Sequence, residues 1–267
     1  MPVKELTDDE KCSMMFWFPL IVGKVCTPAT AFVPLPKDVE AWMDSGIPKD
    51  FIEKLRETVD KEGFGYPVFM RTDLLAGKHS WTETCYVARP ELIGGNCYRL
   101  IEENLMADFL GGMNPKAIVL REFLELDAPF KAFKDMPIAR EFRAFVEDGV
   151  ICCIHPYWPP ESIEFRGSDF KERFDAFTKQ GLSIDEAFKR VNKQGPLGWE
   201  TKLAEISELP ALETIGGILE EVSRLVPGYW SVDICRTKTG VWMVTDMAVG
   251  ERSFHWEGCS KAKKAIQ

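Results

Sequence analysis

The chain has 267 residues, of which 45% are hydrophobic and 12% aromatic, which excludes disordered, collagen-like and low-complexity classes for its bulk. Asp and Glu outnumber Lys and Arg by 42 to 33, a formal charge of -9, so nucleic-acid binding over a broad surface is excluded, although a local basic groove is not. The most apolar run, residues 14–23, is about half as long as a helical membrane span and contains Pro19; with no leader pattern before it, the chain reads as cytoplasmic.

Met14-Met15-Phe16-Trp17-Phe18 reads as a buried strand, and residues 25–33, followed by Pro34 and Pro36, as extended chain. Lys37-Asp38 open a short helix through Trp42 and Met43. A second helix starts at Pro48-Lys49-Asp50, carries Phe51, Leu55 and Val59 at helical spacing, and stops at Gly63 and Gly65. Residues 66–72 read as a strand, 73–80 as a polar loop carrying Gly77-Lys78, and 82–88 as a strand. Pro90 opens a helix to about residue 110, ended by Gly111-Gly112. Residues 117–124 and 140–146 are strands, and Glu147-Asp148-Gly149 turns the second into its return strand, 150–157. Residues 168–226 are helical, the last helix marked by Leu212, Ile215, Leu219, Val222 and Leu225. A hairpin of 229–236 and 241–248 follows, then a basic, frayed tail, Lys261-Ala262-Lys263-Lys264. Hairpins interrupted by groups of helices indicate an α+β fold, mainly antiparallel, with more than one lobe.

The eight cysteines form no CxxC pair and there are three histidines, so a zinc finger or ribbon is not indicated. The cysteines read as reduced, small, buried apolar residues. His79, His155 and His255 are too dispersed for a catalytic constellation, though His79 neighbours Lys78 and is kept as an acid/base candidate.

Charged residues within strands are the informative feature. Alternation in Arg140-Glu141-Phe142-Arg143-Ala144-Phe145-Val146 puts Glu141, Arg143 and Phe145 on one face and Phe142, Ala144 and Val146 on the other. Arg71 and the Arg121-Glu122 pair interrupt two other apolar strands. Together they suggest one polar cleft lined by Arg71, Arg121, Glu122, Arg140, Glu141 and Arg143. In the last hairpin a two-residue turn, Thr239-Gly240, sets Asp233 opposite Asp246. Like charges roughly 5 Å apart there are unfavourable, and a divalent cation with oxygen ligands, Mg²⁺ or Mn²⁺, would remove the conflict. A longer turn would break this register. An acidic pair for metal, converging arginines and a Gly77-Lys78 loop suit a nucleoside triphosphate, although neither GxxxxGK[ST] nor GxGxxG occurs.

The order of four segments, PVFMRTD…AGKHSW, VLREFLEL, REFRAFVEDGVI and SVDIC…GVWMVTDMAVGE, resembles the ATP-grasp superfamily. CTPATAF looks like a segment of its divergent phage and bacterial branch, in which an Arg replaces the usual strand Lys. REFRAFV also looks like the ATP-grasp chaperones that assemble a translation-initiation factor. The resemblance implies two lobes of mainly antiparallel sheet with helices and an ATP cleft between them. It divides the chain into an N-terminal segment 1–65, a small lobe 66–124, a large lobe 125–252 and a tail 253–267.

On that resemblance, Arg71 and Lys78 reach phosphates, Arg121 and Glu141 line the nucleotide site, and Glu122, Phe123 and Leu124 meet the adenine. Arg143 contacts phosphate or an acyl-phosphate, so Lys78 and Arg143 are the catalytic candidates. Asp233 and Asp246 bind Mg²⁺. The family's Glu-x-Asn reads Asp246-Met247-Ala248 here, and Glu251 is the candidate substitute for the missing Asn. The implied function is a Mg²⁺-dependent, ATP-dependent carboxylate-amine ligase acting on a peptide or protein. The alternative is an ATP-binding assembly factor without ligation. A nucleic-acid ligase would need a KxDG-type nucleophile, which Arg71-Thr72-Asp73-Leu74 is not.

Overall fold

Two four-stranded antiparallel sheets carry the fold. The structure, a computed structural model, describes residues 6–109, 114–165 and 170–262. It begins with helices α1 (Asp8–Cys12) and α2 (Met14–Ile21), strand β1 (Thr30–Pro34), and helices α3 (Trp42–Ser45) and α4 (Lys49–Glu62). Strands β2 (Val68–Thr72) and β3 (Tyr86–Val87), helix α5 (Ile93–Phe109) and strand β4 (Ala117–Glu122) follow. Then come β5 (Phe130–Ala132), β6 (Met136–Ile138), β7 (Glu141–Glu147) and β8 (Val150–Pro156). Four helices, α6 (Phe170–Lys179), α7 (Ile184–Lys193), α8 (Trp199–Ser207) and α9 (Leu212–Leu225), lead to β9 (Tyr229–Arg236) and β10 (Trp242–Val249).

The first sheet has the order β1-β4-β2-β3 and the second β10-β9-β7-β8, with β5-β6 a separate hairpin. In the first sheet Val68, Met70, Ile118 and Leu120 point into a core shared with Phe51, Leu55 and Val59 of α4 and Ile93, Cys97, Leu100 and Ile101 of α5. Their alternates, Phe69, Arg71 and Arg121, are left for the opposite face. In the second sheet Phe142, Ala144, Val146, Val232 and Ile234 are buried against Ile215, Leu219 and Val222 of α9. Glu141, Arg143 and Phe145 take the other face, as the alternation requires.

Residues 14–18 form no strand. Ser13 caps α2 by accepting from the Met15 N–H, and the buried residues Met14, Trp17, Phe18 and Ile21 recur at helical spacing. An all-apolar run cannot reveal this period, because exposed positions of the helix, Met15 and Leu20, are apolar too. Residues 82–88 likewise differ from expectation. Lys78–Glu83 is 3₁₀ and only Tyr86–Val87 pairs with β2. Segment 1–65 serves both halves: α2 packs in the core of the second sheet, whereas β1 and α4 belong to the first. The expected stop at Gly111-Gly112, the helix start at Ser168 and the tail lysines Lys263 and Lys264 lie outside the described residues.

No helix among the described residues is long and apolar enough to cross a membrane.

Candidate active site

The polar faces of the two sheets meet across a cleft of about 700 Å³, including its open mouth. One end is apolar and aromatic, with Phe69, Trp81, Phe123, Leu124, Met136 and Trp158; the other holds Arg71, Lys78, Arg121, Glu141, Cys235 and Asp246. Trp81 stacks on Tyr86 at 5.7 Å between centroids and leans on Phe69 and Phe123, so the apolar wall is braced from behind.

A row of residues in register crosses the second sheet. His155 of β8 faces Arg143 of β7, Arg143 faces Asp233 of β9, and Asp233 faces Asp246 of β10. The Arg143 guanidinium donates to both Asp233 oxygens, Nε to Oδ1 at 2.7 Å and Nη2 to Oδ2 at 2.8 Å. Arg71, 3% exposed, reaches across the cleft to Asp246 Oδ2 at 2.8 Å. The Asp233–Asp246 opposition is therefore real, and in this structure an arginine meets each carboxylate.

That register arises by a route the sequence reading does not contain. The hairpin turns through Lys238-Thr239-Gly240, closed by Thr237 N–H to Val241 O, and so pairs Trp242 with Arg236 and Val244 with Ile234. Left alone, this register would move Asp246 off Asp233. A bulge at Thr245 inserts one residue and restores the pairing. The bulge also presents the Thr245 carbonyl to Arg121 Nη1 at 2.6 Å.

Lys78 enters from the loop after β2. Gly77 holds φ +63, and a Cβ there would lie 2.9 Å from Leu100 and 3.2 Å from Thr84. Thr84 also closes the turn through its hydroxyl, which donates to Gly77 O at 2.6 Å. From this anchor Lys78 Nζ contacts Glu141 Oε1 at 3.1 Å and lies 4.6 Å from the centre of the Tyr157 ring; Arg143 lies 4.8 Å from the same ring. Tyr157 is thus the shelf under both catalytic candidates. It escapes sequence reading because it follows β8 and its role depends on a loop far away in the chain.

Burial opposes the charge on Lys78, but Glu141, Tyr157, Cys235 and Asp233 outweigh it and raise its pKa well above the ordinary lysine value. Burial raises the Glu141 carboxyl, with Lys78 opposing. Burial is also offset at Arg143 by Asp233, which raises the pKa, and at Asp246 by Arg71, which lowers it. Arg121 differs. Burial and the neighbouring Arg71 push it down to about 9, and its Nη2 is buried with no partner. Its Nε bonds Thr30 at 3.1 Å. A buried cation with an unused donor, beside a second buried arginine, is suited to an incoming anion. The aromatic slot beyond it suits a flat heterocycle.

Residues 36–191, more than half of the chain, match a family model described as an ATP-grasp domain, family 3 of its clade. The chain belongs to this ATP-grasp family. The fold agrees with that of Cdc123 from Schizosaccharomyces pombe, at 15% identity over 93% of this chain and 87% of that chain, with a TM-score of 0.52. The C-terminally truncated Cdc123 from the same organism gives 15% identity over 93% of this chain and 88% of that one, also with a TM-score of 0.52. A RimK domain ATP-grasp protein from Sphaerobacter thermophilus DSM 20745 gives 12% identity over 91% and 60%, with a TM-score of 0.43. No curated protein sequence matches the chain.

The cleft brings together Arg71, Lys78, Arg121, Glu141 and Asp246, and the paired Arg143 and Asp233 lie beside it, next to Tyr157 and Asp246. Glu122 lines the rim and accepts from Ala29 N–H at 2.8 Å, tying β4 to the segment before β1; Phe123 and Leu124 line the slot just after it. Arg140 does not join them. It precedes β7, on the opposite side of the alternation from Glu141, and pairs with Asp127 at 3.4 Å. His79 is exposed against Phe133 rather than within the cleft. Glu251 sits on the 3₁₀ turn Gly250–Arg252, and no contact joins it to Asp233 or Asp246 among the described residues.

Proposed function

We propose that the chain is a Mg²⁺-dependent ATP-binding protein that ligates a carboxylate to an amine through an acyl-phosphate. One observation carries this reading: three cationic side chains, Arg71, Lys78 and Arg121, the last with an unpartnered buried donor, line the polar part of an aromatic slot in an ATP-grasp fold, and Arg143 shares the Tyr157 ring with Lys78. The adenine lies in the slot against Phe123 and Leu124, and the phosphates lie toward Arg71, Arg121 and Lys78. Asp233 and Asp246 are the oxygen donors that would hold Mg²⁺, or Mn²⁺ in its place. Magnesium, when bound, supplies divalent charge to the phosphate oxygens.

In the first step a carboxylate oxygen attacks the γ-phosphorus and ADP leaves. In the second an amine attacks the acyl carbon and inorganic phosphate leaves. Lys78, Arg71 and Arg143 stabilise the charge on the transferring group, and no side-chain nucleophile is required. The triphosphate competes with Asp233 for Arg143 and with Asp246 for Arg71. Anion binding thereby frees the carboxylates that the cation needs. The acceptor class is a peptide or protein.

A second reading is an ATP-binding assembly factor without ligase activity. It is favoured by Asp246-Met247-Ala248, which offers no amide ligand after the aspartate, and by the arginines that already satisfy both carboxylates.

Thermal stability with Mg²⁺ and ATP, ADP, AMP or GTP tests both. At about 100-fold above the dissociation constant, binding contributes roughly 2.7 kcal/mol and raises the midpoint by about 5–10 °C for a chain of this size. A Mg²⁺-dependent ATP shift, absent in Lys78→Ala and Asp246→Asn, is expected. ATP turnover that requires both a carboxylate and an amine establishes ligation, and a shift without acceptor-dependent turnover establishes the assembly-factor reading. No shift with any nucleotide overturns both.

A further inference from the structure

We propose that Cys153, His155, His255 and Cys259 hold a structural zinc ion that fastens the chain after β10 to the edge of the second sheet. One ligand atom from each of the four lies within 4.8 Å of the other three. A tetrahedral zinc with bonds of about 2.3 Å to sulfur and 2.0–2.1 Å to nitrogen sets its ligand atoms about 3.3–3.8 Å apart. Cys153 Sγ and His255 Nε2 are 3.2 Å apart, so around an ion this pair widens slightly while donors farther apart, up to 4.8 Å, draw in.

The backbone prepares both halves of the site. Cys153 and His155 are alternate residues of edge strand β8 and point to the same face. His255 and Cys259 flank Trp256-Glu257-Gly258, where Gly258 adopts φ +77 and Cys259 N–H donates to Trp256 O at 3.3 Å. The surroundings are those of a closed metal site. Trp256 lies parallel to the His155 ring at 6.2 Å and anchors through Nε1 to Pro156 O at 2.9 Å, and Phe145 packs on His255 at 4.1 Å.

A second observation is independent of the clustering: His155 Nε2 is buried and has no hydrogen-bond partner. A Cys153–Cys259 disulfide would leave that nitrogen as it is, whereas a metal would use it. Two thiolates and two imidazoles select zinc over magnesium, and four protein ligands make the site structural rather than catalytic.

Arg143 is directly cross-strand from His155 and donates through Nη1 to Phe254 O at 3.5 Å, while Ser253 meets Ser231 at 2.5 Å. Zinc would therefore hold residues 253–259 against the sheet face that carries Arg143 and Asp233.

The test is metal analysis of the full chain, reduced, incubated with Zn²⁺ and freed of excess, beside Cys153→Ser/Cys259→Ser and, as a control, Cys26→Ser, whose residue is exposed elsewhere. One zinc per chain is expected in wild type and Cys26→Ser and none in the double variant. Cobalt in place of zinc is expected to show tetrahedral d–d bands and thiolate charge transfer. Should the double variant not fold, His255→Ala gives a second measurement, with zinc bound at least tenfold more weakly. Absence of stoichiometric zinc in reduced wild type, an octahedral cobalt spectrum, or zinc retained undiminished in the folded variants would each overturn the proposal.

Discussion

Arg121 and Asp246 lie far apart in the chain yet act on the same few ångströms of the cleft, and their titration is displaced in the same direction for different reasons. Burial and Arg71 hold the Arg121 pKa down to about 9, so its charge is a burden on the ligand-free fold that an anion relieves. Removing Arg121 relieves a desolvated charge but leaves the Thr245 carbonyl without its donor, a cost of about 1–3 kcal/mol. Arg121→Met is therefore expected to melt no more than that far below the wild-type midpoint without nucleotide and to lose most of its Mg²⁺-ATP shift. A destabilised variant with an intact shift would make the arginine structural only. For Asp246, Arg71 outweighs burial and depresses the pKa. An unfolded aspartate titrates near about 3.9, so the contribution of Asp246 is complete above that value and is lost as pH falls through the lower folded value. Between about pH 5 and pH 2.5, Asp246→Asn should lose less stability than wild type, as melts across that window would show. Equal losses would mean that Asp246 does not feel Arg71.

At the scale of elements, the β10 bulge is the device that makes the site. It corrects the register set by the Lys238-Thr239-Gly240 turn, restores Asp246 to Asp233, and offers the Thr245 carbonyl to Arg121. Deleting Thr245 would leave a regular ladder in which Asp246 follows Val244 directly and still opposes Asp233, so that only the bulge and its carbonyl contact with Arg121 are lost. The deletion variant is expected to fold and to keep a Mg²⁺-ATP shift that is smaller than in wild type, because Arg121 loses the contact that holds it in the cleft. An undiminished shift would show that the Thr245 carbonyl does not position Arg121. The Gly77 turn is the matching device of the first sheet: it brings Lys78 to Glu141 and so connects the two sheets from the opposite wall.

For the whole molecule, the cores do not follow the chain divisions that motifs suggest. Trp17 is fully buried in the core of β7, β9, β10 and α9, although it precedes every segment that resembles the ATP-grasp pattern. Trp17→Ala is expected to cost about 3–5 kcal/mol, measured by denaturant unfolding, as much as a substitution at the heart of the large sheet. A cost under about 1 kcal/mol would show that α2 is dispensable to that core. The two sheets are tied across the cleft by Arg71–Asp246, Lys78–Glu141 and Arg121 to Thr245, all of them contacts that phosphate would challenge. On the proposed function, nucleotide entry would be coupled to how the two sheets sit.

Properties of one segment at a time were legible in the sequence. Alternation alone placed Glu141, Arg143 and Phe145 on one face, and helical spacing revealed α4 and α9, because side-chain direction in regular structure follows from backbone geometry. The order of motifs pointed to the ATP-grasp fold, which the family match shows. Properties that join distant segments were decided only by tertiary structure. Arg140 already falls on the other side of the alternation from Arg143, but its partner, Asp127, is seen only in the structure. The helix at residues 14–21 was hidden because its exposed face is as apolar as its buried one. Tyr157, the Thr245 bulge and the union of Cys153 and His155 with His255 and Cys259 depend on which strand lies beside which, a choice made by packing over the whole chain rather than by any local preference.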